Sequence, residues 1–379
     1  MRVAIVHDYL NQYGGAERVL EALHDLYPEA PVYTSIYDPA AMPDAYRTWD
    51  IHTSFMQRLP GWKSNFRRYF ALYPSAFESF DLSAYDLILS SSSAFAKGII
   101  PRPGACHLCY CHTPMRFAWR TGDYVDREGI GGGVQGALLP LLLTYVRLWD
   151  VSTNHRVDGF VANSHEVAGR IQRYYGRSAT VISPPVDLPL FRDYMPEDFY
   201  LAGGRLLPYK RLSLAVEAFN KLGLPLKIFG EGRDRANLEA LAGPNIEFLG
   251  WLNEQQRCDL FARCRGFIFP GEEDFGITPL EVMAMGRPVI AFAAGGALET
   301  VQEGVSGRFF HQPTAAALAA AVGASRGDTY SPRTIRRHAE QFGRDLFLQR
   351  MRDYIEQHIH ERTNGTVPEQ ERQRLVGKL

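Results

Sequence analysis

Short apolar runs alternate along this chain with segments of helical period. Arg2–Val6 is a strand-length apolar run. A loop, His7–Glu17, holds Gly14-Gly15, and an amphipathic segment continues to about Leu26. Tyr85–Leu89 reads as a buried strand that ends in the polar turn Ser90–Gly98. Residues 105–111 read as another strand, ending at His112, with Pro114 enforcing the break. Asp158–His165 is a strand then a turn. Val181–Asp187 closes the first half, where Pro184-Pro185 mark a linker. The rhythm then restarts. Strands are predicted at Phe199–Ala202, Leu226–Phe229, Ile246–Leu249, Gly266–Phe269 and Pro288–Ala291. Helices are predicted at Leu212–Leu222, 314–323, 332–341 and 343–361. Such alternation specifies an α/β fold, and 379 residues exceed one ordinary core, so two domains are expected. The boundaries fall at 1–188 and 189–342, followed by a helix at 343–361 and a loose polar tail at 362–379. Residues 121–136, with Gly131-Gly-Gly133, read as a mobile loop.

The most informative stretch is Pro270–Ile290. A strand ends at Pro270, and an acidic, glycine-bearing loop follows. A helix starts near Thr278-Pro279 and stops at Gly286, which suits a left-handed C-terminal cap. A helix N-terminus at the strand ends of an open α/β sheet favours anions, because unpaired amides point outward there. Glu273 in the loop and Glu281 in the helix could reach two ends of one ligand. Thr278-x-x-Glu281 also fits a capping box, in which Glu281 only satisfies a backbone amide. Capping leaves Glu273, Phe275 and Gly276 unexplained.

Residues 51–77 contain Arg58, Lys63, Arg67 and Arg68 and no carboxylate. Phe55, Leu59, Trp62, Phe66, Tyr69 and Phe70 are interleaved with them. The pattern suits an anionic membrane surface or a lipid-linked acceptor. It equally suits an amphipathic helix with a buried aromatic face and solvated charges. Arg205 and Lys210 lie in the loop after the 199–202 strand, where a plain surface charge run is the alternative.

Glu273-x7-Glu281, within Glu-Asp-Phe-Gly-Ile-Thr-Pro-Leu-Glu-Val-Met-Ala-Met-Gly-Arg-Pro-Val, resembles the donor motif of retaining GT-B glycosyltransferases of family 4. The resemblance covers about residues 1–360. It implies two Rossmann-like domains facing a cleft, an N-terminal one for the acceptor and a C-terminal one for a nucleotide sugar. The helix at 343–361 would cross back to the first domain. It also implies that Glu273 holds the donor sugar hydroxyls and Glu281 the ribose hydroxyls. Phe275, Gly276, Ile277, Thr278, Gly250 and Trp251 belong with them at the donor site. Gly-Arg-Leu-x-Pro-x-Lys, with Arg205 and Lys210, resembles the family's diphosphate clamp. Gly14-Gly15 matches the loop that faces the diphosphate. Tyr110-Cys-His-Thr-Pro-Met-Arg-Phe-Ala-Trp119 resembles the acceptor-domain signature of the mannosyltransferase-like branch. That puts His112 in the catalytic set and Arg116 and Trp119 on the acceptor surface. The implied reaction transfers a hexose, with GDP-mannose the favoured donor, to a lipid-linked or saccharide acceptor in cell-surface polysaccharide assembly. Configuration would be retained by front-face attack, with His112 orienting the sugar.

Bulk properties narrow the alternatives. The formal net charge of −1 gives no electrostatic case for nucleic acid. Met1–Val6 reads as a strand and not as a signal peptide, and no apolar run reaches spanning length. Ala137–Leu143, with Pro140, comes nearest. A cytoplasmic chain is expected, with peripheral contact at the inner face of the cell membrane if the 51–77 surface serves that purpose. Five cysteines in such a chain argue against a disulfide framework. Cys106, Cys109, Cys111 and His112 are close enough to suggest a metal, but a strand splays them apart. No Asp-x-Asp motif accompanies a strand end, which fits the family's metal-independent chemistry, and no cofactor is expected. Two other functions share the fold. A nucleotide-sugar epimerase would need no acceptor surface, and the 51–77 stretch argues against it. A non-catalytic nucleotide-sugar-binding protein would not need Glu273, Glu281, Arg205 and Lys210 all in place.

Overall fold

The computed structural model describes residues 1–119, 133–191 and 194–365. Most of the predicted 121–136 loop and the tail beyond 365 lie outside the described residues; residues 133–136 and 362–365 are helical. The chain divides into two compact units. The first comprises Met1–Asn163, Val167–Ile182 and the C-terminal helix from Phe347; the second comprises Ser164–Glu166 and Ser183–Leu346.

Each unit is built on one parallel sheet. The first has β1 (Val3–His7), β2 (Val32–Thr34), β3 (Ile51–Thr53), β4 (Leu87–Ser92), β5 (Cys106–Cys111), β6 (Gly159–Ala162) and β7 (Thr180–Val181). Their spatial order is β3-β2-β1-β4-β5-β6-β7. The second has β8 (Tyr200–Gly203), β9 (Leu226–Phe229), β10 (Ile246–Gly250), β11 (Gly266–Phe269), β12 (Val289–Phe292) and β13 (Gly307–Phe310). Their order is β10-β9-β8-β11-β12-β13. Strands buried on both faces read as continuous apolar runs. Thus Ile5 of β1 packs with Val19, Leu20 and Leu23 of the helix Gly15–Leu26, while Ala4 and Val6 pack with Phe77 and Met115 on the other face. Strand order reverses between β1 and β4 and again between β8 and β11. A doubly wound sheet opens a crevice at each such point, beyond the strand C-termini.

Several elements differ from the expectations. Ser90–Ser92 continue β4 instead of turning. Their hydroxyls are satisfied inside the fold: Ser90 Oγ lies 2.8 Å from His107 Nε2 and Ser91 Oγ 2.8 Å from His112 Nε2. The turn starts three residues later than expected, at Ser93, where the Asp8 carboxylate accepts from the amides of Ser93, Ala94, Phe95 and Ala96. β2, β3 and β13 were not predicted; β2 and β3 have three residues each, too few for alternation to register, and β13, Gly307–Phe310, has a glycine and an arginine in place of a continuous apolar run. The 51–77 stretch is not one amphipathic helix. Gly61, at φ +63°, and Pro60 break it into the 3-10 turn Phe55–Arg58, the helix Trp62–Asn65, the 3-10 turn Phe66–Leu72 and the start of the helix Tyr73–Glu78. Its aromatic face still goes inward: Phe66 is buried, and Leu59, Trp62, Tyr69 and Phe70 pack against the core. Arg58, Lys63, Arg67 and Arg68 are exposed, with Lys63 paired to Asp38 at 2.9 Å.

The apolar run Ala137–Leu143 belongs to the helix Gly133–Ser152, which contains Pro140. Among the described residues no helix is long and apolar enough to cross a membrane. From Phe347 on, the helix Arg344–Gly365 packs into the first unit's core through Phe347, Met351, Tyr354 and Ile355.

A buried ion pair ties the Gly133–Ser152 helix to the loop after β4. Lys97 Nζ lies 2.9 Å from Asp150 Oδ1, and both side chains are almost wholly enclosed. Lys97 also donates to Thr153 Oγ1 and to the Asp150 carbonyl, while Tyr175 and Trp119 donate to the Asp150 carboxylate. Removing one partner of such a pair strands the other charge in a low-dielectric interior. Lys97→Met is therefore expected to destabilise the chain by about 3–5 kcal/mol in urea unfolding. A loss under about 1 kcal/mol would contradict a structural role for this contact.

Candidate functional site

In the second unit the loops after β8, β9, β10, β11 and β12 meet along one sheet edge. Gly204 N–H donates to the Phe229 carbonyl, Gly230 N–H to the Gly250 carbonyl, and Gly296 N–H to the Glu273 carbonyl. Two glycines permit the close approach. A Cβ on Gly230 would sit 1.9 Å from the Gly204 oxygen, and one on Gly296 2.3 Å from the Phe275 Cα. Any side chain at either position would force these loops apart.

A further close approach sets the two predicted charges side by side: a Cβ on Gly271, in the loop after β11, would sit 2.9 Å from the Lys210 Cα. Lys210, from the loop after β8, puts Nζ 2.7 Å from Oε1 of Glu273, from the loop after β11. The side chains are only 11 % and 20 % exposed, so the pair is shielded enough to matter. β8 and β11 are the two strands that flank the reversal of order, so the pair sits at the crevice. Arg205, five residues before Lys210, is exposed.

Glu281 is buried, with Oε2 3.9 Å from Arg257 Nη1. The capping box is not formed. The helix runs Ile277–Ala284, its N-cap is Gly276 at φ +93°, and no side chain caps it. Glu281 is the fifth helical residue, two positions beyond the third, where a capping box needs it, and Thr278 lies inside the helix. Gly286 does follow the helix with φ +75°, as a left-handed cap requires.

The other predicted donor residues are distributed unevenly. Phe275 is buried against Phe342, so its ring belongs to the core and only its backbone lines the loop. Ile277 packs partly into the same core. Gly250 adopts φ +70°, and Trp251 after it is 74 % exposed. A groove of ≈ 490 Å³ beside the helix Glu254–Arg263, lined by Pro189, Leu190, Tyr194, Cys258 and Met285, includes none of these residues.

Arg211 was not anticipated. It adopts φ +50°, unusual for a side-chain-bearing residue, and its guanidinium lies 5.2 Å from the Phe292 ring centroid. Nη1 is buried without a hydrogen bond.

In the first unit, His112 follows β5 with its ring on Ser91. Asn163 Nδ2 donates to its carbonyl at 3.0 Å, holding the backbone. The Ser90–Ser92 partners went unseen in the sequence because a serine run reads as a turn. Burial pushes the Asp8 carboxyl up; His7 and the amides of the loop after β4 oppose this. Burial also pushes His107, near the start of β5, down to about 4. Gly14 is the extended N-cap of the helix that begins at Gly15. The Trp119 indole N–H donates to Asp150 at 2.7 Å and its ring stacks on Tyr174, which gives Trp119 a structural duty. Arg116 is half-buried. Cys109 and Cys111 face one side of the sheet and Cys106 the other, so the cysteines near His112 do not converge.

Two family models match the chain in succession. The one described as Glycosyltransferase Family 4 covers residues 13–189, and the one described as Glycosyl transferases group 1 covers residues 192–338. The O-antigen chain mannosyltransferase C of Escherichia coli is 30 % identical over 171 residues, which is 42 % of this chain and 46 % of that protein. A GDP-mannose-dependent alpha-mannosyltransferase of Mycolicibacterium smegmatis is 36 % identical over 118 residues, 30 % of this chain and 31 % of the other. The chain thus spans less than half the length of these two relatives. Among solved structures, Anabaena Alr3699/HepE in complex with UDP superposes with TM-score 0.70 at 18 % identity, covering 94 % of this chain and 100 % of that one. Two consecutive family models, on two parallel-sheet Rossmann-like units that match GT-B structures, show that the chain belongs to glycosyltransferase family 4.

Proposed function

We propose that this protein is a retaining hexosyltransferase that moves mannose from GDP-mannose to a lipid-linked or saccharide acceptor in cell-surface polysaccharide assembly. The observation that carries this is the Lys210–Glu273 contact at the β8/β11 crevice. A cation for a diphosphate and a carboxylate for sugar hydroxyls stand next to each other, as phosphate and hexose do in a nucleotide sugar. Arg205 and Lys210 neutralise the charge that grows on the diphosphate as the sugar departs. The helix N-terminus at Ile277–Thr278 adds partial positive charge, and the proposal requires no metal. Glu273 accepts the hexose hydroxyls and Glu281 the ribose hydroxyls. The acceptor oxygen bonds to the anomeric carbon on the face the phosphate leaves. The bond from that carbon to the phosphate oxygen breaks, and the departing phosphate takes the acceptor proton. His112 orients the sugar.

Support for mannose comes from the mannosyltransferase relatives. The UDP bound to Anabaena Alr3699/HepE makes uridine donors the competing choice. Thermal shift across a nucleotide-sugar panel decides between them, because a ligand that binds only the folded state raises Tm. GDP-mannose should give the largest shift. A larger shift with a uridine sugar would overturn that donor. Incubation with labelled donor and lipid extract should yield labelled lipid; conversion of the free sugar nucleotide alone would indicate an epimerase instead.

Arg205 is exposed, so Arg205→Ala should leave the fold intact and lower transfer about 10²–10³-fold, as expected for one preorganised charge. Near-normal turnover would remove Arg205 from the mechanism. Glu281→Gln alters no helix cap, since Gly276 fills that position. It should weaken GDP binding in calorimetry, because an amide has one fewer acceptor and no charge. Unchanged affinity would exclude the ribose contact.

The proposed location is cytoplasmic, with peripheral contact to anionic membrane through the 51–77 surface. Arg58, Arg67 and Arg68 supply exposed charge, and Phe55, 41 % exposed, supplies an apolar contact. Lys63 is already paired with Asp38. Sedimentation with anionic vesicles should be lost in the Arg58/Arg67/Arg68→Glu variant and should weaken with salt. Equal binding by the variant would exclude this surface.

A further inference from the structure

The first unit contains a line of polar groups that links a buried carboxylate to His112. Glu17 stands in the first turn of the helix Gly15–Leu26, and its Oε1 lies 3.5 Å from His7 Nε2. Both side chains are at most 4 % exposed. The other ring nitrogen of His7, Nδ1, lies 3.1 Å from Ser91 Oγ. That same Oγ lies 2.8 Å from His112 Nε2. Ser91 is fully buried. His7 ends β1, Ser91 sits near the end of β4, and His112 follows β5, so three neighbouring strands present these groups at one sheet edge.

Valence fixes the direction of the protons along this line. A serine hydroxyl has one proton and must donate to one of its two imidazole neighbours and accept from the other. A carboxylate beside His7 Nε2 favours the proton on that nitrogen, since the charge acts through a water-poor interior. With the single ring proton on Nε2, Nδ1 of His7 is the lone-pair nitrogen, and Ser91 donates to it. Ser91 is left as an acceptor, so His112 must donate from Nε2. In neutral imidazole the second nitrogen, Nδ1, then carries the lone pair.

We propose that Glu17, His7 and Ser91 are positioning residues that lock His112 in the Nε2–H tautomer, the form in which it serves the transfer step. The catalytic use of His112 rests on the function proposed above; the proton alignment does not. A carboxylate or carbonyl that sets the tautomer of a working histidine from behind follows a general pattern. Here the carboxylate acts at a distance, through a second histidine and a serine.

Long-range ¹H–¹⁵N spectra of the histidine-labelled full chain report the tautomer directly. The chain has 11 histidines, and loss of one signal in His112→Gln assigns the relevant one. Wild-type His112 should carry its proton on Nε2. Ser91→Ala removes the acceptor, and Glu17→Leu removes the charge that orients the line while keeping an apolar side chain of similar length in a buried site. Both variants should move His112 towards a mixture of tautomers. A wild-type His112 protonated on Nδ1, or a tautomer unchanged in both variants, would overturn the proposal.

Turnover of GDP-mannose gives the second readout. Ser91→Ala should lower kcat roughly 10–100-fold with little change in the donor KM, the range seen when a partner that orients a working side chain is lost. Packing damage alone would not shift the tautomer. A tautomer that shifts while kcat is unaffected would remove His112 from the transfer step and leave the proton alignment standing.

Discussion

The second unit depends on how closely its loops can approach at the C-terminal edge of the sheet. Gly230 lies against the Gly204 carbonyl and Gly296 against Phe275, at distances no side chain permits. Gly271, in the loop after β11, lies likewise close to the Lys210 backbone, and this third approach brings the loops after β8 and β11 together, and with them Lys210 and Glu273. Bringing an unpaired cation and carboxylate into a half-enclosed crevice costs solvation, and pairing them offsets part of it. What remains is a charged pair held where a parallel sheet already opens towards its ligand. A nucleotide sugar can replace each partner's contact with one of its own, phosphate for the lysine and hydroxyls for the glutamate.

The first unit solves a different problem with related means. Its sheet also reverses order between adjacent strands, but the edge there is lined by histidines and serines. Burial governs these groups. It holds the His107 imidazole down to about 4, so this ring is neutral near pH 7 and serves as a partner for Ser90. The Asp8 carboxylate gathers four successive amides and thereby ends β4. Together these satisfy a polar strand end that would otherwise be costly to bury. They also give His112 a fixed neighbour, Ser91.

Much of this was legible in the sequence, for identifiable reasons. Gly266–Phe269, the acidic loop and the helix up to Gly286 form a local unit, so their order and the charges within them could be read directly. The helix Leu212–Leu222 fell where the pattern placed it, because its apolar period and the following glycine are local signals. The failures involve distant partners. Ser90–Ser92 looked like a turn, because only His107 and His112, about twenty residues away, make serines tolerable in a buried strand. Thr278 and Glu281 had capping spacing, but Gly276 begins the helix earlier with a positive φ, and that moves both residues out of register. The 51–77 stretch had its aromatic face assigned inward as one alternative, which holds, but Pro60-Gly61 prevents the single helix that the alternative assumed.

The central claim is that Glu273 recognises the sugar part of the donor while Lys210 and Arg205 recognise its diphosphate. Calorimetric titration of GDP and of GDP-mannose into wild type and Glu273→Gln tests it most directly. Wild type should bind GDP-mannose more tightly than GDP, and Glu273→Gln should erase that difference while leaving GDP affinity close to wild type. An undiminished preference for the sugar nucleotide in Glu273→Gln would contradict the claim.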